Sequence, residues 1–331
     1  MSTTIDTTPT TQATGRPAPH WYTRLTGSGG AFVGLAALFV VLSLTTPGFF
    51  SSSNLLNVLD QATVLSVIAV GATAVIITGG IDLSVGSVLA LSTMVLGWLS
   101  HDGGFPMWIA ILAALATGAL AGLANGLGVT LGKLPPFIAT LAMFSIARGL
   151  ANLITDGRQI IGYPDWFFQL SSNRYIGVLS VTVLVMIVTF AIGGIYLKRR
   201  PGGRSLYAIG GGKDVARLAG LKVKKITTMT YVWAGLLAGL GGVILATRLN
   251  SSQPSAGTGL ELDVIAAVVI GGASLNGGTG RIAGTIAGVF IMGMLRNGLN
   301  LLGVSPFLQQ IFIGLVIALA VMADVLQRRT K

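Results

Sequence analysis

Long apolar runs separated by short polar stretches set the pattern of this chain. A bilayer crossing takes about 20 mostly apolar residues. Ten segments approach that length: 29–46, 61–79, 83–100, 107–131, 137–155, 175–197, 226–248, 261–275, 281–302 and 307–326. The segment 261–275 is short and contains Gly271-Gly272, so a broken or re-entrant span is expected there. Irregular backbone at that depth is tolerated only where it is buried in protein or lines a wet cavity. Residues 1–28 hold no apolar run, and seven of the first fourteen are Thr, which reads as a disordered cytoplasmic tail. The run Ala31 to Leu44 has the length of a signal-peptide core. Thr45-Thr46-Pro47-Gly48 follows it instead of a small-x-small cleavage site, so an uncleaved first span is expected.

Composition agrees with the pattern. Of 331 residues, 52% are hydrophobic and 9% charged. A soluble domain carries roughly 25% charge, so this chain could not cover a water-facing surface. There is no Cys and only two His, His20 and His101, which rules out disulfide frameworks, thiolate zinc sites and His-rich metal clusters. The reading is an all-α polytopic membrane protein with about ten transmembrane helices: a tail over 1–28, a membrane domain over 29–327 and a short cytoplasmic tail over 328–331.

The net charge of +11 becomes informative once the cations are placed along the chain. Nine of the 21 (Lys198, Arg199, Arg200, Arg204, Lys213, Arg217, Lys222, Lys224, Lys225) fall in one loop, 198–225, and Arg328, Arg329 and Lys331 close the chain. Lys and Arg accumulate on the cytoplasmic side. With that loop and both termini inside, sixteen cations lie inside. Three (Arg158, Arg174, Arg248) lie outside and two (Arg148, Arg296) fall within spans. Outer loops are expected to carry Asp60, Asp102, Asp156, Asp165, Glu261 and Asp263. Nucleic-acid binding is excluded, since only Tyr207 interleaves the basic loop and stacking needs aromatics.

Glycines recur at a packing period. Gly118, Gly122 and Gly126 repeat every fourth residue, as do Gly280, Gly284 and Gly288, while Gly235 and Gly239 form a single pair. Small residues at this spacing let another backbone approach one helix face. The two triple runs fall on spans 4 and 9, as inverted repeats of spans 2–5 and 7–10 would pair them. Gly79-Gly80-x-x-Leu83 recurs as Gly271-Gly272-x-x-Leu275 and pairs spans 2 and 8 instead, so the two pairings disagree.

Catalytic signatures are absent. Gly132-Lys133 and Gly212-Lys213 lack the first Gly and the hydroxyl residue of a phosphate-binding loop, so this chain does not hydrolyse ATP itself. Gly278-x-Gly280-x-x-Ala283 mimics a dinucleotide turn but sits between two membrane spans. Both His residues lie in poor places for a water-excluded catalytic site. Proton- or ion-coupled transport usually needs carboxylates deep in the membrane. The only one near a span interior is Asp82, which is expected to cap the helix that follows and to border the transport path. With so little to carry protons, the energy for transport is expected to come from another subunit.

The basic loop suggests how. Gly210–Gly212 would be costly inside a helix, at about 1 kcal/mol each. The following Lys213, Asp214, Val215, Ala216, Arg217, Leu218 and Ala219 can form one to two turns, which Gly220 ends before Leu221. Val215, Leu218 and Ala219 offer an apolar face to bury, and Arg217 is placed to meet carboxylates on a partner.

At these residues the chain resembles the ribose/xylose/galactose-type permeases of ABC importers. Four stretches carry the likeness: Gly79 to Ser87, Gly210 to Leu221, Ser251 to Gly272 continuing to Arg281, and Asn297 to Ser305. With the spans between them they cover about residues 30–327. The resemblance implies a type II ABC importer-like membrane subunit in a bacterial plasma membrane. It also implies partners: a second permease subunit (homodimer or heterodimer), ATPase subunits at the cytoplasmic face, and an extracytoplasmic sugar-binding protein. The segment Lys213–Leu221 would be the coupling helix that docks on the ATPase. Gly212 and Val215 stand where that family commonly has Asn and paired Ala. No cofactor and no metal are expected. The resemblance leaves nucleosides, polyols and branched-chain amino acids as alternative cargoes.

A monosaccharide path should be weakly polar. Arg148, Asn152 and Asp156 share one helix face at four-residue spacing, and Arg296, Asn297 and Asn300 cluster on span 9. With Asp82 these are the expected pathway residues, although both Arg could also snorkel to the headgroups. Members of the resembled family often have an amide where Arg296 stands. The loops 156–174 and 249–262 are expected to receive the binding protein, with Arg158, Arg174 and Arg248 as contacts.

Overall fold

A computed structural model describes residues 28–175 and 179–329, with backbone only at residue 28 and over most of the last ten. The tail expected over 1–28 lies outside these residues up to residue 27. Arg328 and Arg329 continue the last helix, and residues 330–331 of the expected C-terminal tail lie outside.

Thirteen helices follow in order among the described residues: α1 Ser28–Thr45, α2 Ser52–Ile77, α3 Val85–His101, α4 Met107–Thr130, α5 Pro136–Leu153, α6 Asp165–Ser172, α7 Val181–Arg199, α8 Pro201–Gly211, α9 Lys213–Leu218, α10 Val223–Leu249, α11 Leu260–Ile270, α12 Ile282–Leu301 and α13 Pro306–Arg329. Six of them (α2, α4, α5, α7, α10, α12) are long and apolar enough to cross a membrane. Shorter apolar helices make up Gly29–Thr45, Val85–His101 and Pro306–Leu319.

Several boundaries differ from the sequence reading for local reasons. Helix α2 starts at Ser52, not 61, because Ser51 Oγ accepts from Asn54 N–H at 3.3 Å and caps it. Asp60, expected in an outer loop, therefore sits inside α2. The stretch 198–225 is helical rather than a loop: α8 and α9 fill it, and Gly210 and Gly211 lie inside α8. The stretch 156–174, expected as an outer loop, contains α6, whose Phe167 is buried while Trp166 is exposed. Its start pairs with the chain after α10 in a two-residue antiparallel ladder, β1 (Ile160–Ile161) against β2 (Ser251–Ser252).

Helix α2 is the axis of the bundle. Val67, Ile68 and Ile76 are buried on it, among Leu89 and Met94 of α3, Ala238 of α10, Val264 and Val268 of α11 and Met292 of α12, while Val75 packs with Tyr231 and Ala234 of α10. Outer faces of α4, α5, α7 and α13 carry bare apolar groups such as Leu120, Ile146, Ile192 and Leu315, as lipid contact requires.

The glycine runs close two antiparallel crossings. A Cβ on Gly118 would overlap Gly235 O, one on Gly235 would overlap Gly118 O, and one on Gly122 would overlap Tyr231 O. The lone Gly235/Gly239 pair is thus the counterpart of the first triple run. Gly284 and Gly288 of the second run meet the backbone of Gly271, which caps the end of α11, and of Ala267 within it, while Gly280 precedes α12.

Helix α11 is broken as expected. Its 11 residues cover about 16 Å, roughly half of a ~30 Å hydrocarbon core. The Gly-Gly likeness is structural, offset by one residue. Helix α2 ends with Gly79 at φ +74 and the bonds Gly79 N–H to Ile76 O and Gly80 N–H to Val75 O. Helix α11 ends with Gly272 at φ +89 and the bonds Gly272 N–H to Val269 O and Ala273 N–H to Val268 O. Both are Schellman ends, which need a left-handed residue and so favour Gly.

Candidate functional site

Helix α9 stands off the bundle. Val215 and Leu218 are 72% and 86% exposed, while Ala216 is 2% exposed and anchors the helix inward. Its end is a Schellman motif: Gly220, at φ +84, donates N–H to Arg217 O (3.0 Å), and Leu221 donates to Ala216 O (3.1 Å). Arg217 Nη2 donates to Asp214 within the same helix at 2.9 Å, and both side chains are exposed. Lys213 opens the helix after Gly212 and Ala219 closes it. The result is a short, stiff peg with two bare apolar side chains.

The loop 78–84 after α2 holds Asp82, which is buried. Its carboxylate accepts from Ser84 N–H (2.9 Å) and Ser84 Oγ (2.6 Å), and Ser84 Oγ accepts from Asn125 Nδ2 of α4 (2.9 Å). Asp82 is therefore not the cap of α3. Ser84 occupies the cap position, and Asp82 folds back on it in a turn. Tyr231 Oη and Asn125 Oδ1 are buried nearby without partners, and a side chain at Gly80 would meet the Tyr231 hydroxyl.

On α5 the Arg148 guanidinium donates through Nη1 to Pro254 O and Ala256 O (3.0 Å for the latter), stapling the segment between β2 and α11. Asn152 Nδ2 donates to Arg148 O in its own helix at 2.8 Å. Asp156 does not share their face: α5 ends at Leu153, and Asp156 turns left-handed at φ +50. On α12, Arg296 does not reach out alone but pairs with Asp263 of α11, with side-chain exposures of 44% and 7%. Asn297 exchanges two bonds with Asn54 of α2. Asn300 Oδ1 accepts from Gln309 Nε2 of α13 at 2.7 Å.

At the opposite end from the peg, Arg158 is exposed. Arg174 forms a two-pronged ion pair with Asp60, whose Oδ1 also accepts from Ser180 Oγ at 2.9 Å. Hydrogen bonding to Asp60 holds the Arg174 guanidinium more firmly protonated. Arg248 is half-buried within electrostatic reach of the same carboxylate.

Sequence reasoning missed Asn54, Asn125, Asp263 and Gln309 as partners. The available signal was a lone polar side chain at or near an apolar segment, which must find a partner away from water. Among the described residues, no group of three or more His, Asp or Glu could hold a metal.

Six long apolar helices and a buried α2 define a polytopic membrane protein. Residues 54–321 match the family described as branched-chain amino acid transport system / permease component, and the chain belongs to that family. It is 47% identical to the ribose import permease protein RbsC of Bacillus subtilis over 296 residues, covering 89% of this chain and 92% of that one. It is 44% identical to RbsC of Escherichia coli strain K12 over 298 residues, with the same two coverages. It is 34% identical to the L-arabinose ABC transporter permease protein AraH of Azospirillum brasilense, covering 93% and 90%. No solved structure matches the chain.

Proposed function

We propose that this chain is the membrane subunit of a binding-protein-dependent ABC importer. It moves a ribose-like monosaccharide across a bacterial plasma membrane, driven by ATP hydrolysis in a separate subunit. The observation that carries this reading is similarity to ribose import permeases over about nine-tenths of both chains. In this reading Lys213–Leu221 is the coupling segment. Val215 and Leu218 enter a cleft of the ATPase, and Gly220 keeps the peg short. A second permease subunit completes the pathway.

Counting α11 with its following loop as one crossing gives ten spans, which returns both termini to the cytoplasmic side with the peg. The cation asymmetry along the sequence favours that orientation. The polar residues Asp82, Arg148, Asn152, Arg296, Asn297 and Asn300 hold the walls of the path in register, because most of their polar groups are engaged within the chain. Affinity then resides in the external binding protein. Of the three outer cations, Arg158 is exposed and makes no ion pair among the described residues, so it is available to that protein, whereas Arg174 and Arg248 cluster at Asp60. Such rim contacts contribute little each.

Proteoliposomes holding the permease, its ATPase and its binding protein test the function. Uptake of labelled ribose should require all three and ATP. The family description keeps branched-chain amino acids as a second cargo reading. Calorimetry of ribose and of leucine on the binding protein separates the two.

A further inference from the structure

Two loops interrupt the helical framework, 78–84 after α2 and 271–281 after α11, and the last turns of α8 touch the final residue of α2, just before the first loop, and the second loop directly. Gly278 N–H donates to Ile77 O at 2.8 Å and ties the second loop to the end of α2. Gly210 of α8 lies on that joint, where a Cβ would overlap both Ile77 O and Gly278 N. Gly277 closes the contact from the other side: a Cβ there would stand 2.8 Å from Gly79 N and 3.1 Å from Gly210 O. One turn earlier, Tyr207 donates its hydroxyl to Gly280 O at 2.8 Å. Burial pushes the Tyr207 phenol above its ordinary range, and nearby Arg281 offsets this only in part. At its far end α8 passes through Gly212 directly into the peg.

We infer that α8 is the transmission element of this permease, and that motion of the peg reaches the loops after α2 and α11 together through Gly210 and Tyr207. The inference rests on the importer reading above. Helix α8 is three turns long, and its contacts fall on successive turns, so it cannot roll over the joint without breaking one of them. Close-packed backbone contacts of this kind switch between discrete arrangements and do not deform continuously. What they reach matters for transport. The first loop holds Asp82 and Ser84, which are bonded to Asn125 of α4, and the second leads into α12 with Arg296 and Asn297. The competing route runs from the peg into α10 alone, which begins just after Leu221.

Adjacent glycines in one helix provide the test. Gly210→Ala puts a methyl group into the joint, whereas Gly211→Ala meets nothing within 4 Å and raises helix propensity equally. In the reconstituted importer, G211A should take up sugar as wild type does. G210A should still bind the ATPase and hydrolyse ATP at the basal rate. Its uptake, and the stimulation of hydrolysis by loaded binding protein, should fall about tenfold. Tyr207→Phe removes a single oxygen and should lower both by about threefold. Transport by G210A equal to that by G211A would overturn the inference. If G210A does not assemble, unchanged stimulation in Y207F would overturn it, and reduced stimulation would support it. Loss of uptake in wild type itself would instead count against the importer reading.

Discussion

The carboxamides of Asn54 and Asn297 bond to each other twice: each Nδ2 donates to the other's Oδ1, at 3.0 and 2.9 Å. Both side chains are buried, and the pair clamps the start of α2 to the C-terminal half of α12. Asn54 Nδ2 also donates to Phe49 O at 2.9 Å, which draws in the turn before α2. Without its partner, Asn297 would lose both of these bonds, and Asn54 would keep only the one to Phe49 O, with its Oδ1 left unpaired.

Removing one partner should therefore cost more than the pair contributes. Asn54→Ala or Asn297→Ala should each lower stability by about 1–3 kcal/mol, the range for a buried polar group left without its partner. The double variant should be well short of the sum, because it leaves no orphan across the interface. Thermal unfolding in detergent of the two single variants and the double variant measures this coupling.

The Arg296–Asp263 pair makes a directional prediction. Asp263 is nearly buried while Arg296 is 44% exposed, so the carboxylate suffers more when its partner is lost. Arg296→Gln should destabilise by about 2 kcal/mol, after discounting for solvent at the Arg end. Asp263→Asn added to it should recover most of that loss. Melting temperatures of the single and double variants decide the matter.

Glycine substitutions should divide by location rather than by helix propensity. Gly118→Ala places a methyl against Gly235 O at the α4–α10 crossing and should cost about 3 kcal/mol or prevent assembly. Gly194→Ala, in open space on α7, should be neutral or stabilising by up to about 1 kcal/mol. Expression level and unfolding temperature in the same detergent compare the two.

These residues also mark what the sequence made legible. Apolar run length located the apolar helices to within several residues, apart from the start of α2, because lipid forces that length on any span. The four-residue Gly spacing identified two close crossings, and the Gly271-Gly272 break anticipated the half-length α11. The start of α2 was missed because Ser51, a capping residue, lies well upstream of the first uninterrupted apolar run. The helix α8 was missed because three glycines argued against it. Propensity there yields to the joint at Ile77 and Gly278, where no side chain fits at Gly210. Pairings such as Asn54–Asn297 or Arg296–Asp263 join residues far apart in the chain, and no local pattern encodes them.

The peg should tolerate a charge structurally but not functionally. Leu218→Asp alters a side chain that touches little in the single chain, so unfolding should shift by less than about 0.5 kcal/mol. Co-purification of the ATPase should nevertheless fall, and sugar uptake with it. Gly220→Trp should act similarly at some cost in stability, because φ +84 strains any side chain.

The most direct test of the account uses the absence of Cys from the chain. A single Val215→Cys variant gives one thiol on the exposed face of the peg. In sealed vesicles, a membrane-impermeant maleimide added to the cytoplasmic side should label it, and assembly with the ATPase should block that labelling. Labelling from the external side, or labelling unaffected by the bound ATPase, would contradict the claim that this peg is where the fuel-burning subunit engages.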